Sequence, residues 1–323
     1  MSFAFELAVG LLSPLPVAVK RWKSAVMRAG IDEVSAGERF DAIVCDFLAP
    51  APNFSTLDRC VLFQHNVETM IWRRRAEYPP DPIRRAYLKI QAERVEAYEG
   101  EVCRKVKRVI AVSDEDSRIM REMFGIRDVP VAAPGVNAEY FEPRSRAEPA
   151  SDLVFVGAMD WLPNIDGMKF FTASILPLFH RVFPECTVAI VSRAPDPEIR
   201  AKAAADPRIT VTGTVSDVRQ YLWTSKLSIV QLRIGSGTRL KIYESMAAAC
   251  PVVSTTVGAE GLSVLHPQHI RLADTPEQFA CECIGLLQSR DERATLADAA
   301  YDFVREHCSW DTVAREFEAL LVS

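Results

Sequence analysis

The residues with the most chemical reach lie in segment 233–255, RIGSGTRLKIYESMAAACPVVST. Gly235, Ser236 and Gly237 make a small-residue loop, and Thr238, Arg239, Lys241 and Glu244 follow it. The apolar run 227–232 before the loop reads as a buried strand. A helix is expected from near Thr238 to Pro251, where a second apolar run begins. Such a strand–loop–helix–strand unit builds parallel sheets. Its charges are placed oddly. Arg239 and Lys241 fall in the first helical turn, where the macrodipole already presents positive potential. Two cations beside a glycine loop at a helix N-terminus make sense when an anion binds there. Glu244 comes three residues after Lys241, on the same helix face. Cations followed one turn later by a carboxylate suit a diphosphate joined to a ribose. The competing reading is an exposed helix face with a Lys–Glu pair, worth under about 1 kcal/mol. The charge conflict and the glycine loop favour binding.

Other positions carry weaker chemistry. Gly157 closes an apolar run, and its missing Cβ would let the backbone approach a phosphate; a plain tight turn explains it nearly as well. His65 and Asn66 follow the apolar residues 61–63, at what would be a strand's carboxyl end, where α/β sites gather. Glu68 beside them reads as the start of the next helix. The acidic trio Asp114, Glu115 and Asp116 follows Ser113 and reads as a capped helix start, not a metal motif. The five histidines form no HxxxH or HExxH pattern, so no metal is expected. Trp72, Trp161, Trp223 and Trp310 read as packing residues. Arg73, Arg74 and Arg75 read as a solvated helix face, with contact to anionic lipid as the second reading.

These residues need elements to hold them. Expected strands in the first half are 42–47, 61–64 and 109–112, with helices at 18–28, 67–75, 82–105 and 114–124. The second half gives strands 153–156, 187–191, 209–212, 227–232, 252–255 and 270–272. Helices there include 167–183, with cap-like Asn164 and Asp166, and 217–224. The tail 276–322 reads as two or more helices. The proline- and charge-rich stretch 143–151 reads as a linker. The pattern is α/β and doubly wound, with fewer strands in the first half than in the second.

Composition agrees. The chain has 323 residues, 49% hydrophobic and 25% charged, which suits about two soluble domains. The net charge is -5, and neither half has the basic excess of a nucleic-acid binder. Eight scattered cysteines without a CxxC pair point to reduced thiols and a cytoplasmic protein. The apolar start lacks a basic leader and is broken by Pro14 and Pro16, so neither a signal peptide nor a membrane span is expected there.

Five segments, taken in order, resemble a known family. They are FQHNVE (63–68), PGVNAEYF (134–141), FVGAMDWLPNIDG (155–167), VTGTVSDVRQYL (211–222) and GSGTRLKIYESMAAACPVVSTTVGAEGL (235–262). They resemble retaining glycosyltransferases of the GT-B fold, glycosyltransferase family 4 (group 1). The resemblance implies two Rossmann-like domains facing across a cleft. The first, 1–145, would be an incomplete acceptor-side domain. The second, 146–305, would bind a nucleotide diphosphate sugar, and 306–323 would cross back to the first. It implies transfer of the sugar to a hydroxyl acceptor, a saccharide or lipid-linked molecule, without metal or cofactor, in polysaccharide or glycolipid synthesis. The protein would be cytoplasmic, with peripheral contact at the inner membrane face.

The resemblance also assigns roles. His65, Arg239 and Lys241 would be catalytic, the cations stabilising the departing diphosphate. Gly157, Asp217, Val218, Gly235, Ser236, Gly237, Thr238 and Glu244 would bind the donor, with Glu244 on the ribose. Val215, Asp217 and Val218 match the segment that holds the base; Ser216 and Asp217 read equally well as a helix N-cap. Two departures stand out. Ser236 replaces the first glutamate of the E-x7-E motif. The Arg and Lys that serve the diphosphate in many relatives fall near Ala158 and Asn164 here. Two other functions remain open: an inactive nucleotide-sugar-binding or scaffold protein, because the first domain is short, and a nucleotide-sugar 2-epimerase, which shares the fold.

Overall fold

The structure, a computed structural model, describes residue 13 and residues 15–77, 81–143, 150–234 and 238–322. The apolar start and the expected linker lie almost wholly outside these. The chain forms two compact units, Met1–Ala133 with Arg315–Ser323, and Pro134–Ala314. The boundary therefore falls ahead of the expected linker.

The first unit begins with helices α1 (Val17–Lys20) and α2 (Ala25–Gly37). The single helix expected at 18–28 is split because Ser24 takes an extended backbone and caps α2, accepting from the Met27 amide. Strands β1 (Ile43–Asp46), β2 (Cys60–Gln64) and β3 (Arg108–Ala111) form a parallel sheet in that order. Between β2 and β3 lie α3 (Glu68–Glu77) and α4 (Pro82–Lys105), and α5 (Asp114–Phe124) follows β3. Cys45, Leu62 and Ala111 from the three strands and Met120 from α5 form one apolar core. Ser113 caps α5 by accepting from the Asp116 amide, as the acidic trio predicts.

The second unit opens with α6 (Ala138–Phe141), then β4 (Ser151–Val156) and α7 (Leu162–Phe170). A π turn at Phe171–Ile175 leads into α8 (Leu176–Val182). Pro177 lacks the amide hydrogen that a continuous α turn would use there. Next come β5 (Val188–Val191), α9 (Pro197–Ala205), β6 (Ile209–Val211), α10 (Arg219–Trp223) and β7 (Ser225–Val230). Then follow α11 (Leu240–Ala247), β8 (Val252–Ser254), β9 (Arg271–Leu272), α12 (Pro276–Gln288), α13 (Arg290–His307) and α14 (Trp310–Val322).

The six strands form one sheet, ordered β6-β5-β4-β7-β8-β9, and every pair is parallel. The order reverses between β4 and β7, where Leu153 pairs with Leu227 and Val154 with Ser228. Such a switch point opens a crevice at the carboxyl ends of the two strands. Two apolar clusters cover the sheet, one holding Phe155, Phe171 and Phe179, the other Ile242, Tyr243 and Met246. The last helix starts in the second unit and ends on the first. There Phe317 meets Phe63, and Arg108 Nη1 donates to the Leu320 carbonyl at 2.7 Å.

Two tryptophans depart from expectation. Trp72 is buried, but Trp161 and Trp310 are 38% and 58% exposed.

Candidate functional site

Strands β4 and β7 deliver their loops to the switch point. Gly157 directly follows β4, and the loop after β7 leads to α11. The helix begins at Leu240, slightly later than expected, which makes Arg239 its N-cap and leaves Lys241 in the first turn. Neither cation points into bulk solvent. Arg239 is 5% exposed, with its guanidinium 5.1 Å from the Trp161 ring centroid.

Lys241 Nζ donates to Asn164 Oδ1 at 2.8 Å and lies 4.6 Å from the Phe155 ring centroid. Asn164 is buried, and its Nδ2 donates to the Ala158 carbonyl at 2.7 Å. It is not a cap: α7 starts earlier, at Leu162, and Asp166 is paired with Arg233 at 2.6 Å. Gly157 makes the arrangement possible. A Cβ there would lie 2.6 Å from Lys241 Nζ and 2.9 Å from Asn164 Nδ2. The sequence left the glycine's reason open between a phosphate and a turn; in the structure an ammonium fills the space.

Burial, then the Arg239 charge, pulls the Lys241 amine down to about 7 against the opposing pull of Glu244. Burial lifts the Glu244 carboxyl, and Lys241 partly offsets this. Among the described residues, neither the Glu244 carboxylate nor the Thr238 hydroxyl makes a side-chain hydrogen bond, so both can serve a ligand. Gly235, Ser236 and Gly237 lie outside the described residues.

Asp217 is otherwise engaged. Its two oxygens take Arg219 Nε at 2.9 Å and Nη2 at 2.6 Å, and Oδ1 also accepts the Arg219 amide at 2.9 Å. Arg219 in turn donates to the Tyr140 carbonyl and covers the Tyr140 ring at 3.7 Å. The helix there starts at Arg219, with Val218 in the N-cap position, and Asp217 caps its first turn by accepting the Arg219 amide, as the capping reading expects. Val218 packs on the apolar cluster of the sheet.

His65 belongs to the first unit and directly follows β2. Its Nε2 lies 2.7 Å from Asp46 Oδ1, at the end of β1. Its ring stacks on Phe47, centroids 4.1 Å apart and planes at 17°. Phe47 has φ +68, a left-handed backbone that costs a non-glycine residue roughly 1–2 kcal/mol. Behind His65 a fully buried carboxylate ties the turn down. Glu99, on α4, accepts from Gln64 Nε2 (2.9 Å), the amides of Glu68 (2.9 Å) and Thr69 (2.8 Å), and Thr69 Oγ1 (2.6 Å). It thereby caps α3 from a distant helix. Burial raises it to about 7 in spite of these bonds.

Sequence reasoning missed Asp46, Phe47, Glu99 and the true role of Asn164. Asp46 had a signal, an acid at the carboxyl end of an apolar strand. The other three depend on contacts across long stretches of chain. Of the arginine run, Arg73 pairs with Glu96 at 2.7 Å and Arg75 lies over Trp72. No helix among the described residues is long and apolar enough to cross a membrane.

Residues 150–289, which hold the Lys241 site, match the sequence model of the family described as Glycosyl transferases group 1. This segment resembles a group 1 glycosyltransferase domain. The chain is 28% identical over 231 residues to a D-inositol 3-phosphate glycosyltransferase of Nocardiopsis dassonvillei, covering 62% of this chain and 52% of the relative. It thus spans about half the length of that relative. An uncharacterized 44.6 kDa protein in the cps region of Klebsiella pneumoniae is 19% identical over 309 residues, 92% of this chain and 76% of that one. Among solved structures, a glycosyltransferase from Rickettsia africae superposes with TM-score 0.69 at 16% identity, covering 92% of this chain and 80% of its own. Anabaena HepE in complex with UDP gives TM-score 0.63 at 15% identity, covering 81% and 71%. The fold is α/β of the GT-B kind, with parallel sheets in both units.

Proposed function

We propose that this protein is a retaining, metal-independent glycosyltransferase of family 4 that moves a sugar from a nucleotide diphosphate sugar to a hydroxyl acceptor. The observation that carries this reading is the Lys241 ammonium, held by Asn164 over Gly157 at the switch point of the sheet. An amine beside a second cation and a helix N-terminus is unfavourably placed until an anion arrives. The leaving diphosphate is that anion. Lys241 and Arg239, with the α11 N-terminus, stabilise charge as it develops on the phosphate, the work a metal does elsewhere. Glu244, one turn on, accepts the ribose hydroxyls. Thr238 contacts the donor beside them; Gly235, Ser236 and Gly237 are assigned to the donor by the family resemblance alone, and backbone groups of Val215 to Val218 hold the base. In the first unit, His65 serves the sugar.

The Anabaena structure in complex with UDP supports a nucleoside diphosphate as ligand. The cps-region relative supports a role in polysaccharide or glycolipid assembly, with a saccharide or lipid-linked acceptor. Eight free cysteines, all but Cys281 buried, support a reducing, cytoplasmic setting.

The test is a nucleotide-release assay across uridine, guanosine and adenosine diphosphate sugars, with and without saccharide acceptors. Release with one donor, abolished by Lys241→Ala in a protein of unchanged circular dichroism, is the expected result. Equal release from wild type and Lys241→Ala would remove the assignment.

A further inference from the structure

The second unit holds another pair of cations that the donor site does not use. A cavity of about 460 Å³ opens between the π turn, α8 and α9, beside Ile209, the first residue of β6. All six strands run parallel, so it lies at the opposite end of the sheet from Lys241. Leu176 and Pro177 from α8 join Ile209 as an apolar wall. Arg181 from α8 and Lys202 from α9 also line the space. Among the described residues, neither side chain makes a hydrogen bond or an ion pair. The acids nearby are already engaged. Asp206, at the cavity, accepts from Arg208 Nε and Nη2, both at 2.8 Å. Asp196 and Glu198, at the start of α9, pair with Lys169 at 3.4 and 3.0 Å. Two like charges thus face one space with no free acid between them, an arrangement that an anion relieves. His180 lines the same cavity, and its Nε2 is buried without a hydrogen-bond partner among the described residues. Nearly all buried polar atoms in native proteins are paired, so an open one beside a cavity points to a ligand.

We propose that this cavity is a second ligand site, for a phosphate monoester carried on a hydrocarbon body. Arg181 and Lys202 hold the phosphate, and Leu176, Pro177 and Ile209 enclose the hydrocarbon. A phosphate monoester carries roughly two negative charges near neutral pH, which matches two cations. Arginine and lysine both suit phosphate, the first through its planar fork and the second as a point charge. With a turn of its ring, His180 donates from Nε2 to a phosphate oxygen. The volume falls within the range of small-ligand sites, about 300–1,000 Å³. The two cations stand on separate helices, so an occupant ties α8 to α9. This site is independent of the donor-site reading and stands if that reading fails.

The test is calorimetric titration of the full chain with hexyl phosphate. Saturable binding is expected, at least tenfold tighter than inorganic phosphate or hexanol, each of which offers half of the ligand. Arg181→Gln and Lys202→Gln should each weaken it at least tenfold, and Lys202→Arg should retain it. Neither glutamine variant should lower the melting temperature, because an unpaired cation does not hold the fold together. Saturating nucleoside diphosphate and Lys241→Ala should both leave hexyl phosphate binding unchanged, which keeps this site apart from the donor site. The ring nitrogens of 15N-labelled His180, assigned among the five histidines by His180→Gln, should shift on binding. Absence of saturable binding, equal affinity in the double variant Arg181→Gln, Lys202→Gln, or displacement by nucleoside diphosphate would each overturn the proposal. So would inorganic phosphate that binds as tightly as its hexyl ester. Phosphatidylcholine vesicles containing phosphatidic acid separate the sources of the monoester. Sedimentation of wild type but not of the double variant assigns a membrane lipid; no sedimentation, with hexyl phosphate still bound, assigns a soluble ester, and either outcome supports the site.

Discussion

The Lys241 ammonium donates to the Asn164 carboxamide at 2.8 Å, across 77 residues of sequence. The contact joins α7 and α11, the helices that follow β4 and β7, the two strands flanking the switch point. It exists because residue 157 has no side chain. Three positions therefore form one device: a cation, a holder that orients it, and a vacancy that admits it.

That device makes Gly157 sensitive. Gly157→Ala would place a carbon 2.6 Å from Nζ, so the lysine must move. We expect nucleoside diphosphate affinity to fall about tenfold or more, since each 1.4 kcal/mol is a factor of ten. Melting temperature should change little because the far end of a flexible side chain yields first. Calorimetric titration with nucleoside diphosphates decides it; wild-type affinity in the alanine variant would count against the geometry.

Protons should follow the ligand. The folded-state value of Lys241, about 7, lies below its ordinary 10.5. Between these limits the unfolded chain holds a proton that the folded chain lacks, so stability of the ligand-free protein rises with pH through that window. A bound diphosphate restores the charged amine. At pH 8 binding should therefore take up close to one proton, seen as different heats in buffers of different ionisation enthalpy. Lys241→Met should show no such dependence.

Glu99 works in the opposite sense. Its folded value of about 7 lies above its ordinary 4.5. The folded chain keeps a proton that the unfolded chain releases, so this contribution is complete below about 4.5 and is lost as pH rises to about 7. Urea midpoints of wild type should decline across that interval relative to Glu99→Gln, which has no proton to lose. Glu99→Ala leaves four buried donors unmet and should cost about 2–4 kcal/mol. Parallel midpoint curves for wild type and the glutamine variant would show that Glu99 stays ionised throughout.

Two carboxylates in the second unit should separate structure from binding. Asp217 is closed onto Arg219, whereas Glu244 makes no side-chain hydrogen bond among the described residues. Glu244→Ala should weaken nucleoside diphosphate binding about ten- to hundredfold, the range for hydrogen bonds to a charged group, with little change in melting temperature. Asp217→Ala should lower melting temperature and leave affinity near wild type. The reverse pattern would exchange their roles.

Much of this architecture was legible in the chain. Apolar runs marked the nine strands found among the described residues, most plainly the central ones, which are buried on both faces. Ser113 before three acids marked the start of α5, whereas α11 ends at Ala247, ahead of the expected stop at Pro251, and Ala249 between them takes a left-handed backbone. The split at Ser24 and the π turn before Pro177 escaped notice because each depends on a single capping or missing donor inside an otherwise helical stretch. Within the site, Arg239 and Lys241 were visible because their charge opposes the helix dipole, a conflict that sequence order alone exposes. Asn164 looked like a cap since amide side chains usually serve that purpose near helix starts. Only the folded backbone brings it to Lys241. Glu99 sits in a charged helix with acids at Glu93, Glu96 and Glu101 nearby, and nothing local sets it apart. Phe47 is hidden more deeply still, because no side-chain pattern announces a left-handed backbone.

The bend at Phe47 has an evolutionary corollary. Glycine would relax that position, so a mutant library sorted only for survival of heating should enrich glycine there. A library sorted for sugar transfer should keep the aromatic ring, which stacks on His65. If both selections are run, the residue recovered at position 47 records what that ring is for.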